Sequence, residues 1–246
     1  MRLLIVRHGE PNYTFDTLTT KGWREAKLLS ERLAKTKMDA IYVSPHGRAK
    51  DTAFDTLKKL GRTATECEWL REFRAPVHKP SGEKKSHITW DWLPQDWVDQ
   101  DLLYDKELWS THPVMAADDV KAQYDWVITN FDQLLAKHGY VREGNFYRAV
   151  RPNHDTIVFF CHFGLESVLL SHLMNISPMI PWHHMCAAPT SVTTIYTEER
   201  REGIAVFRTQ SFGDVSHLYA GDEEISFAAR FCETYGDAEP RDLIYS

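Results

Sequence analysis

Two arginines and two histidines stand in short polar segments that each directly follow an apolar run. The segments are Arg7-His8-Gly9-Glu10, Ser44-Pro45-His46-Gly47-Arg48 and Cys161-His162-Phe163-Gly164. A guanidinium group keeps its charge at any working pH and holds two oxygens of an anion at once. A neutral imidazole is a good nucleophile near pH 7. If the three segments meet, they form a site for a tetrahedral dianion, with a histidine as the phosphoryl acceptor.

Each of these residues also has an ordinary structural explanation when it is taken alone. A single arginine at a strand end more often forms a surface ion pair, and a single histidine more often packs and hydrogen-bonds. Three segments with the same chemistry at equivalent positions favour the functional interpretation over three separate coincidences. The combination, and not any one residue, is therefore the signal.

The elements that must position these segments can be read from the apolar pattern. Short strands are predicted at Leu3–Val6, Asp39–Val43 and Thr156–Phe160, and ligands of a parallel sheet bind beyond the carboxyl ends of its strands. Helices are predicted from Thr19 or Thr20 to Leu33, at Gly47–Leu60 with Gly61 closing it, at 118–138 and at Gly164–Met174. A β-hairpin is predicted from Val192–Thr197 and Ile204–Thr209. The expected fold is an α/β three-layer sandwich, with a mostly parallel central sheet flanked by helices.

The middle of the chain differs in composition from both ends. Residues 75–150 are expected to form an insertion or lid within a single domain that spans 1–246. This segment holds five of the eight tryptophans: Trp90, Trp92, Trp97, Trp109 and Trp126. They could form a core for the segment or an aromatic wall around an organic leaving group. In the second case, Lys79, Lys84, Lys85 and His87 could bind further anions of the substrate.

Composition excludes several classes of protein. The chain has 246 residues, 43% of them hydrophobic, and a formal net charge of −6, which argues against disorder and against a nucleic-acid or membrane-surface binder. No signal-peptide core and no membrane-spanning run is visible. Four cysteines lack paired spacing, which predicts reduced thiols and a cytoplasmic location: Cys67, Cys161, Cys186 and Cys232. The exposed hairpin edge is compatible with a homodimer, although the oligomeric state is not determined by the sequence.

Two of the segments resemble the signatures of the histidine phosphatase superfamily, the phosphoglycerate mutase-like proteins. The similar runs are Leu4 to Glu10 and Ser44 to Ala53, which follows a Ser-Pro-x-x-Arg-Ala-x-x-Thr-Ala pattern. Leu70-Arg71-Glu72 is similar to the motif that holds the family's proton donor, and Thr190 to Thr193 is similar to the segment before a late strand. The resemblance covers about residues 1–75 and 156–220, with the motifs in order.

This resemblance implies a role for individual residues. His8 is expected to be the phosphorylated nucleophile, and Arg7, Arg48 and His162 are expected to bind the phosphoryl group. Glu72 is expected to protonate the leaving oxygen, which requires a raised pKa. The carboxylate of Glu10 and aromatic neighbours are possible causes of that rise. Asn12 matches a position that often contacts the substrate.

Three departures from the family pattern affect these expectations. Phe163 stands where the family commonly has glycine, so close backbone approach to the phosphate is in question there and Phe163 itself becomes a candidate substrate contact. Arg74-Ala75-Pro76 replaces a glycine-containing continuation after the acid. The loop from Pro11 to Leu18 is shorter than in the family's mutases, which favours hydrolysis over mutase transfer.

The expected function is hydrolysis of small-molecule phosphomonoesters through a phosphohistidine, with no cofactor and no metal. Adjacent His183 and His184 would point to opposite faces of an extended chain, and no His-Glu-x-x-His spacing occurs. A phosphorylated small molecule is the expected partner. The alternatives are a phosphoglycerate mutase-type transfer and a non-catalytic phosphate- or phosphopeptide-binding module on the same fold.

Overall fold

A sheet of eight strands forms the centre of the protein. The computed structural model describes residues 1–82, 84–86 and 88–226, so His87, Cys232 and the end of the expected domain lie outside the described residues. The strands of this sheet occur in the order β5-β4-β8-β1-β9-β10-β7-β6. They are β1 (Arg2–Arg7), β4 (Ala40–Val43), β5 (Thr65–Glu66), β6 (Tyr140–Glu143), β7 (Phe146–Ala149), β8 (Thr156–Cys161), β9 (Val192–Arg201) and β10 (Ile204–Asp214). A separate small hairpin pairs β2 (Pro11–Asn12) with β3 (Thr17–Leu18).

The parallel half of the sheet brings the three polar segments to one edge. Strand β8 pairs in parallel with β1 on one side and with β4 on the other, and Arg7 lies opposite Cys161. The ladder continues one residue further, because the His8 N–H donates to Cys161 O at 3.0 Å and the Ser44 N–H donates to Phe160 O at 2.9 Å. The predicted strands and their common carboxyl edge are therefore confirmed.

The other half of the sheet is antiparallel. Strands β9 and β10 form the predicted hairpin, although both run further than the apolar pattern indicated, to Arg201 and Asp214. The hairpin joins the parallel half through the pairing of β9 with β1. Strands β7 and β6 then extend the sheet beyond β10.

Helices cover both faces of the sheet. They are α1 (Thr20–Leu33), α2 (Gly47–Leu60), α3 (Asp101–Tyr104), α4 (Pro113–Ala116), α5 (Val120–Lys137), α6 (Phe163–Met174), α7 (Met179–His184) and α8 (Ser216–Ala220), with 3₁₀ turns at Glu68–Leu70, Pro94–Asp96 and Trp109–Thr111. The Thr19 hydroxyl accepts from the Gly22 N–H at 3.0 Å, so it caps α1 as predicted. Gly61 ends α2 with φ +60°, a conformation that glycine adopts without steric cost.

Two hydrophobic clusters lie between the sheet and its helices, one on each face of the sheet. Leu4 and Val6 of β1 pack with residues of α1 and α2 on one face. Leu3 and Ile5 point to the other face, where residues of α5 and α6 pack against them. Successive strand residues point to opposite faces of the sheet. A strand with apolar side chains on both faces must therefore be covered by other elements on both faces. The predicted α/β fold, with a central sheet between helices, is confirmed.

The tryptophan-rich segment packs on the face that α5 and α6 cover. Trp90, Trp92, Trp97 and Trp109 are all buried within the same cluster as Leu3 and Ile5. The core interpretation is therefore correct for these four side chains, whereas the fifth, Trp126, is 42% exposed. Because β6 and β7 belong to the central sheet, residues 140–149 extend that sheet. A lid formed by residues 75–150 stays a prediction. Among the described residues, no helix is long and apolar enough to cross a membrane.

Candidate active site

His8 lies immediately after β1 with its ring fixed by the backbone. The side chain is 2% exposed, and its Nδ1 lies 2.7 Å from the carbonyl oxygen of Gly9. Since a carbonyl can only accept, Nδ1 carries the proton and Nε2 keeps its lone pair. Burial lowers the pKa of His8 well below its usual value, and the charges of Arg48 and Arg7 lower it further. His8 is therefore neutral near pH 7 and presents an unprotonated Nε2 for attack.

Arg7 and Arg48 converge on this imidazole from two elements. Arg7 ends β1 and Arg48 lies in the first turn of α2, and each is only 4% exposed. The Arg7 guanidinium donates to Ala187 O. The Arg48 guanidinium lies with its central carbon 5.5 Å from the centre of the Tyr13 ring. Both arginines act on the pKa of His8, so the structure brings these three predicted residues together.

His162 contacts the same arginine through one of its ring nitrogens. Its Nδ1 lies 3.2 Å from Nη2 of Arg48, and its Nε2 lies 2.8 Å from the Ser44 hydroxyl. An arginine can only donate, so Nδ1 is the acceptor and Nε2 carries the proton. The rings of His162 and His8 are 5.1 Å apart between centroids. His162 therefore orients Arg48 and lies against His8, while its contact with a phosphoryl group stays a prediction.

Glu72 has one carboxylate oxygen fixed by two backbone groups. Its Oε1 accepts from the Phe73 N–H at 2.8 Å and from the Leu165 N–H at 3.0 Å. Burial raises the pKa of Glu72 above its usual value, against the opposing charges of Arg48 and Arg7. The raised pKa that the proton-donor role requires is thus present.

Glu10 is not among the main causes of that shift, of which burial is the largest, so its expected contribution is not supported. Its Oε1 accepts from the Thr19 hydroxyl at 2.7 Å, and its Oε2 accepts from Ser226. The Glu10 backbone N–H donates to Glu25 at 2.8 Å. The contacts with Thr19 and Glu25 tie Glu10 to the start of α1, which follows the β2–β3 hairpin in the chain.

Phe163 begins α6 and is followed by a glycine in close contact with Glu72, while approach of this backbone to a phosphate stays a prediction. Phe163 is 1% exposed, packs edge-on against Trp90 with 5.4 Å between ring centres, and lies 5.7 Å from the guanidinium carbon of Arg7. The close approach occurs one residue later. A Cβ added to Gly164 would lie 2.7 Å from Oε1 of Glu72 and 2.4 Å from Nε1 of Trp90. The glycine that this site requires is therefore Gly164, and a substrate contact by Phe163 stays a prediction.

The short loop after His8 forms one wall of the site. Asn12 pairs with Thr17 across the β2–β3 hairpin, and its substrate contact stays a prediction. Tyr13 follows it beneath Arg48, and burial raises the pKa of its hydroxyl. Asp16 at the tip of the hairpin accepts from Nη1 of Arg48 at 2.5 Å and from the Gly47 N–H at 2.7 Å. The sequence analysis missed Asp16, since an aspartate in a turn carries no spacing signal that points to a distant arginine.

Thr190, a residue with strained backbone, forms a hydrogen bond with the backbone of His8. Thr190 has φ +60°, which is unusual for a β-branched side chain and costs on the order of 1–3 kcal/mol. Its N–H donates to the His8 carbonyl oxygen at 3.1 Å. Its hydroxyl lies 3.1 Å from Nε2 of His217. Thr190, in contact with His217, therefore holds the backbone of His8, which the pattern of residues 190–193 did not indicate.

His183 and His184 end α7, so the expectation of an extended chain at this position is wrong. His183 accepts from the Trp92 N–H at 3.0 Å, and its Nδ1 lies 2.8 Å from the Met179 carbonyl oxygen. This supports the packing interpretation of the pair. Within residues 1–82, 84–86 and 88–226, no group of three or more histidine, cysteine, aspartate or glutamate residues could hold a metal ion. The absence of a metal in the reaction stays a prediction.

Comparison with known proteins gives one family and one curated relative. Residues 3–110 match the model of the histidine phosphatase superfamily (branch 1). A putative phosphoserine phosphatase 2 of Hydrogenobacter thermophilus is 38% identical over 80 residues. That match spans 29% of this chain and 39% of the relative.

Solved structures share the fold over most of the chain. A phosphoserine phosphatase from Entamoeba histolytica is 21% identical and superposes with a TM-score of 0.57, covering 88% of this chain and 98% of that one. A mycobacterial glucosyl-3-phosphoglycerate phosphatase is 20% identical with a TM-score of 0.55, covering 86% and 98%. At these identities the likeness concerns the fold. The match over residues 3–110 makes that part of the chain similar to the histidine phosphatase superfamily, and the solved structures show that the fold is shared.

Proposed function

We propose that this protein is a phosphatase that hydrolyses phosphomonoesters of small molecules through a phosphohistidine. The observation that carries the proposal is the unprotonated Nε2 of His8, whose ring lies near enough to two buried arginines for their charges to lower its pKa. Arginines placed this way stabilise the charge that develops on the equatorial oxygens of a phosphoryl group in transfer. They also supply positive charge without a metal ion, so the proposed reaction requires none. The proposed location is the cytoplasm, as the cysteine pattern predicts.

In the first step, Nε2 of His8 forms a bond to phosphorus as the bond from phosphorus to the ester oxygen breaks. The electron pair of that bond stays on the leaving oxygen, which takes a proton from Glu72. The Nδ1–H bond to Gly9 O keeps the tautomer correct while the ring becomes positively charged. The products are an alcohol, phosphohistidine and ionised Glu72.

In the second step, Glu72 takes a proton from water while the water oxygen attacks phosphorus. The bond from phosphorus to Nε2 breaks, and its electron pair returns to the imidazole. Inorganic phosphate leaves, and both His8 and Glu72 regain their starting protonation states. One carboxyl group therefore acts first as acid and then as base.

Names of relatives suggest which substrates to test first. The curated relative is named a phosphoserine phosphatase, and one structural neighbour acts on glucosyl-3-phosphoglycerate. Phosphoserine and glucosyl-3-phosphoglycerate are therefore the first members of a substrate panel. The eight residues from Pro11 to Leu18 form only a short hairpin, which favours hydrolysis over mutase transfer. Isomer interconversion of 3-phosphoglycerate, assayed beside phosphate release, tests that choice.

The decisive variant is His8→Ala. It should lose essentially all turnover of p-nitrophenyl phosphate and of the panel substrates in buffer containing EDTA, because no phosphohistidine can form. His154→Ala, at an exposed position outside the site, should keep wild-type activity. Near wild-type turnover by His8→Ala would refute the mechanism.

Anion binding gives a second test that does not depend on turnover. Inorganic phosphate and vanadate should inhibit competitively and raise the melting temperature, because a ligand that binds only the folded state stabilises it. At a concentration of about 100 Kd, the expected stabilisation is about 2.7 kcal/mol. If neither anion inhibits or shifts the melting temperature at millimolar concentration, the non-catalytic and the catalytic interpretations of the pocket both fail.

A further inference from the structure

A carboxylate of the protein itself lies on the arginine assigned to the phosphoryl group. Asp16 accepts from Nη1 of Arg48 at 2.5 Å through Oδ1 and from the Gly47 N–H at 2.7 Å through Oδ2. The imidazole of His46 lies 3.4 Å from the same Oδ2. Three donors from the first residues of α2 and its cap therefore converge on one anionic side chain.

These donors are of the kind that bind phosphate. Gly47 is the first residue of α2, a helix of 14 residues, and an amide at that position has no partner within the helix. Arg48 is buried and directs its other terminal nitrogen to His162. With Asp16 in place, both terminal nitrogens of Arg48 contact protein acceptors. A phosphoryl group must then share the guanidinium with a negative charge or replace that charge.

The chain is built to keep Asp16 there. A Cβ added to Gly47 would lie 2.1 Å from the Asp16 carbonyl oxygen, so only glycine allows the tip of the hairpin to lie against α2. Asp16 itself has φ +47°, in the left-handed region that aspartate tolerates better than most residues. The hydroxyl of Thr17 donates to Asp51 one helical turn along α2.

Asp16 can nevertheless be displaced. Its side chain is 42% exposed, whereas that of Arg48 is 5% exposed. The hairpin that carries it has only two residues in each strand, and such hairpins are marginally stable in water. The carboxylate can therefore leave towards solvent while the arginine stays in place.

We propose that Asp16 is a built-in anion that competes with the phosphoryl group for Arg48 and so sets the affinity of the site for small oxyanions. This inference rests on the proposed function, because the competing ligand is the phosphoryl group of the substrate or the phosphate product. Free phosphate gains only the contacts of the pocket, whereas an ester also gains contacts from its organic part. Competition by Asp16 therefore weakens the binding of free phosphate and of an ester by the same factor, and only the ester offsets this cost with contacts of its organic part.

The test is inorganic phosphate binding, measured by isothermal titration calorimetry without turnover. Asp16→Asn keeps the size of the side chain and an oxygen that can accept from Gly47, but removes the charge. It should bind phosphate about three- to tenfold more tightly than wild type, and Asp16→Ala should also bind more tightly. Asp55→Asn, which removes the same charge from α2 about two turns beyond Gly47, is the matched control and should keep wild-type affinity.

The competing explanation is that Asp16 only positions Arg48. In that case Asp16→Ala would bind phosphate more weakly and raise KM, which would overturn the inference. Unchanged or weaker binding by Asp16→Asn would overturn it too, even if His8→Ala confirmed the phosphatase. Tighter phosphate binding by both Asp16 variants would support competition. If wild-type protein hydrolysed no ester, the proposed phosphatase activity would be refuted, but the binding result would still support competition for Arg48.

Discussion

His8 and Glu72 show how burial acts in opposite directions on an imidazole and a carboxyl group. Removal from water disfavours the charged form of each, so the pKa of His8 falls and that of Glu72 rises. Both shifts favour the uncharged forms, a neutral imidazole at His8 and a protonated carboxyl group at Glu72. Pairs of titratable groups with such opposite shifts are the pattern expected of a base or nucleophile and its partner acid.

Replacing the acid should separate the two chemical steps. p-Nitrophenolate leaves without a proton, so Glu72→Gln should still form the phosphohistidine from p-nitrophenyl phosphate but hydrolyse it slowly. One equivalent of p-nitrophenolate per active site should therefore appear as a burst before slow turnover. An alkyl ester such as phosphoserine should show no burst and should lose about 10²- to 10⁴-fold in rate. Stopped-flow absorbance and phosphate release measure the two cases. Glu68→Gln, at an exposed residue paired with Arg71, is the control, and equal losses on both substrates would contradict the assigned role.

The same two groups predict the pH profile of kcat/KM. Activity should rise with pH through the lowered pKa of His8, because only the neutral ring attacks. It should fall as pH rises further through the raised pKa of Glu72, because only the protonated acid donates. The descending limb should disappear in Glu72→Gln with the alkyl ester and persist in Glu68→Gln. A descending limb that is identical in wild type and Glu72→Gln would assign it to another group.

At the scale of elements, the site depends on where strands end and helices begin. Strands β1, β4 and β8 end at one edge because of their parallel register, and α2 and α6 begin there. The start of α6 is tightly packed, since Gly164 lies against both Glu72 and Trp90. The position of the acid is thus set by the backbone of a helix that follows a different strand.

Gly164→Ala should therefore damage catalysis by moving Glu72. The added methyl group would meet Oε1 of Glu72 at 2.7 Å and Nε1 of Trp90 at 2.4 Å, both closer than side chains normally approach. We expect kcat for alkyl esters to fall by at least about tenfold, with a smaller effect on phosphate affinity. Gly82→Ala, where the nearest atom would lie at 3.5 Å, is the control. Unchanged kcat in Gly164→Ala, checked by steady-state kinetics and a crystal structure, would refute this positioning.

At the scale of the whole molecule, buried carboxyl groups should make stability depend on pH. Burial raises the pKa of Glu166, on α6, to about 7, and also raises that of Glu25, on α1, to about 7. In the folded state these groups hold protons over a range in which the unfolded chain, with a pKa near 4.5, has released them. Stability is therefore lost as the pH rises from about 4.5 to about 7.

Glu166→Gln should remove part of this loss. The pKa shift of Glu166 corresponds to a loss of about 3 kcal/mol in the free energy of unfolding as the pH rises from about 4.5 to about 7. The free energy of unfolding of the variant minus that of wild type should therefore be more positive at pH 8 than at pH 4.5. Urea unfolding at both pH values measures the free energy of unfolding, with the exposed Glu202→Gln as control. Parallel stability curves for wild type and Glu166→Gln would show that Glu166 does not titrate as inferred.

The sequence by itself determined the parts of this protein that depend on local interactions. Apolar runs and caps located the strands and the helices around Thr19 and Gly61, because hydrophobic period and backbone conformation act over a few residues. The three polar segments also identified His8, Arg7 and Arg48, since a parallel sheet must bring the ends of its strands to one edge.

The tertiary structure alone decided the contacts between segments distant in the chain. It placed Asp16 on Arg48, made burial the largest cause of the raised pKa of Glu72, and brought Gly164 into close contact with Glu72. Each of these depends on how a loop packs against an element from elsewhere in the chain. A residue type and its neighbours in sequence do not specify that packing, because the shape and charge of the folded surface select the partner.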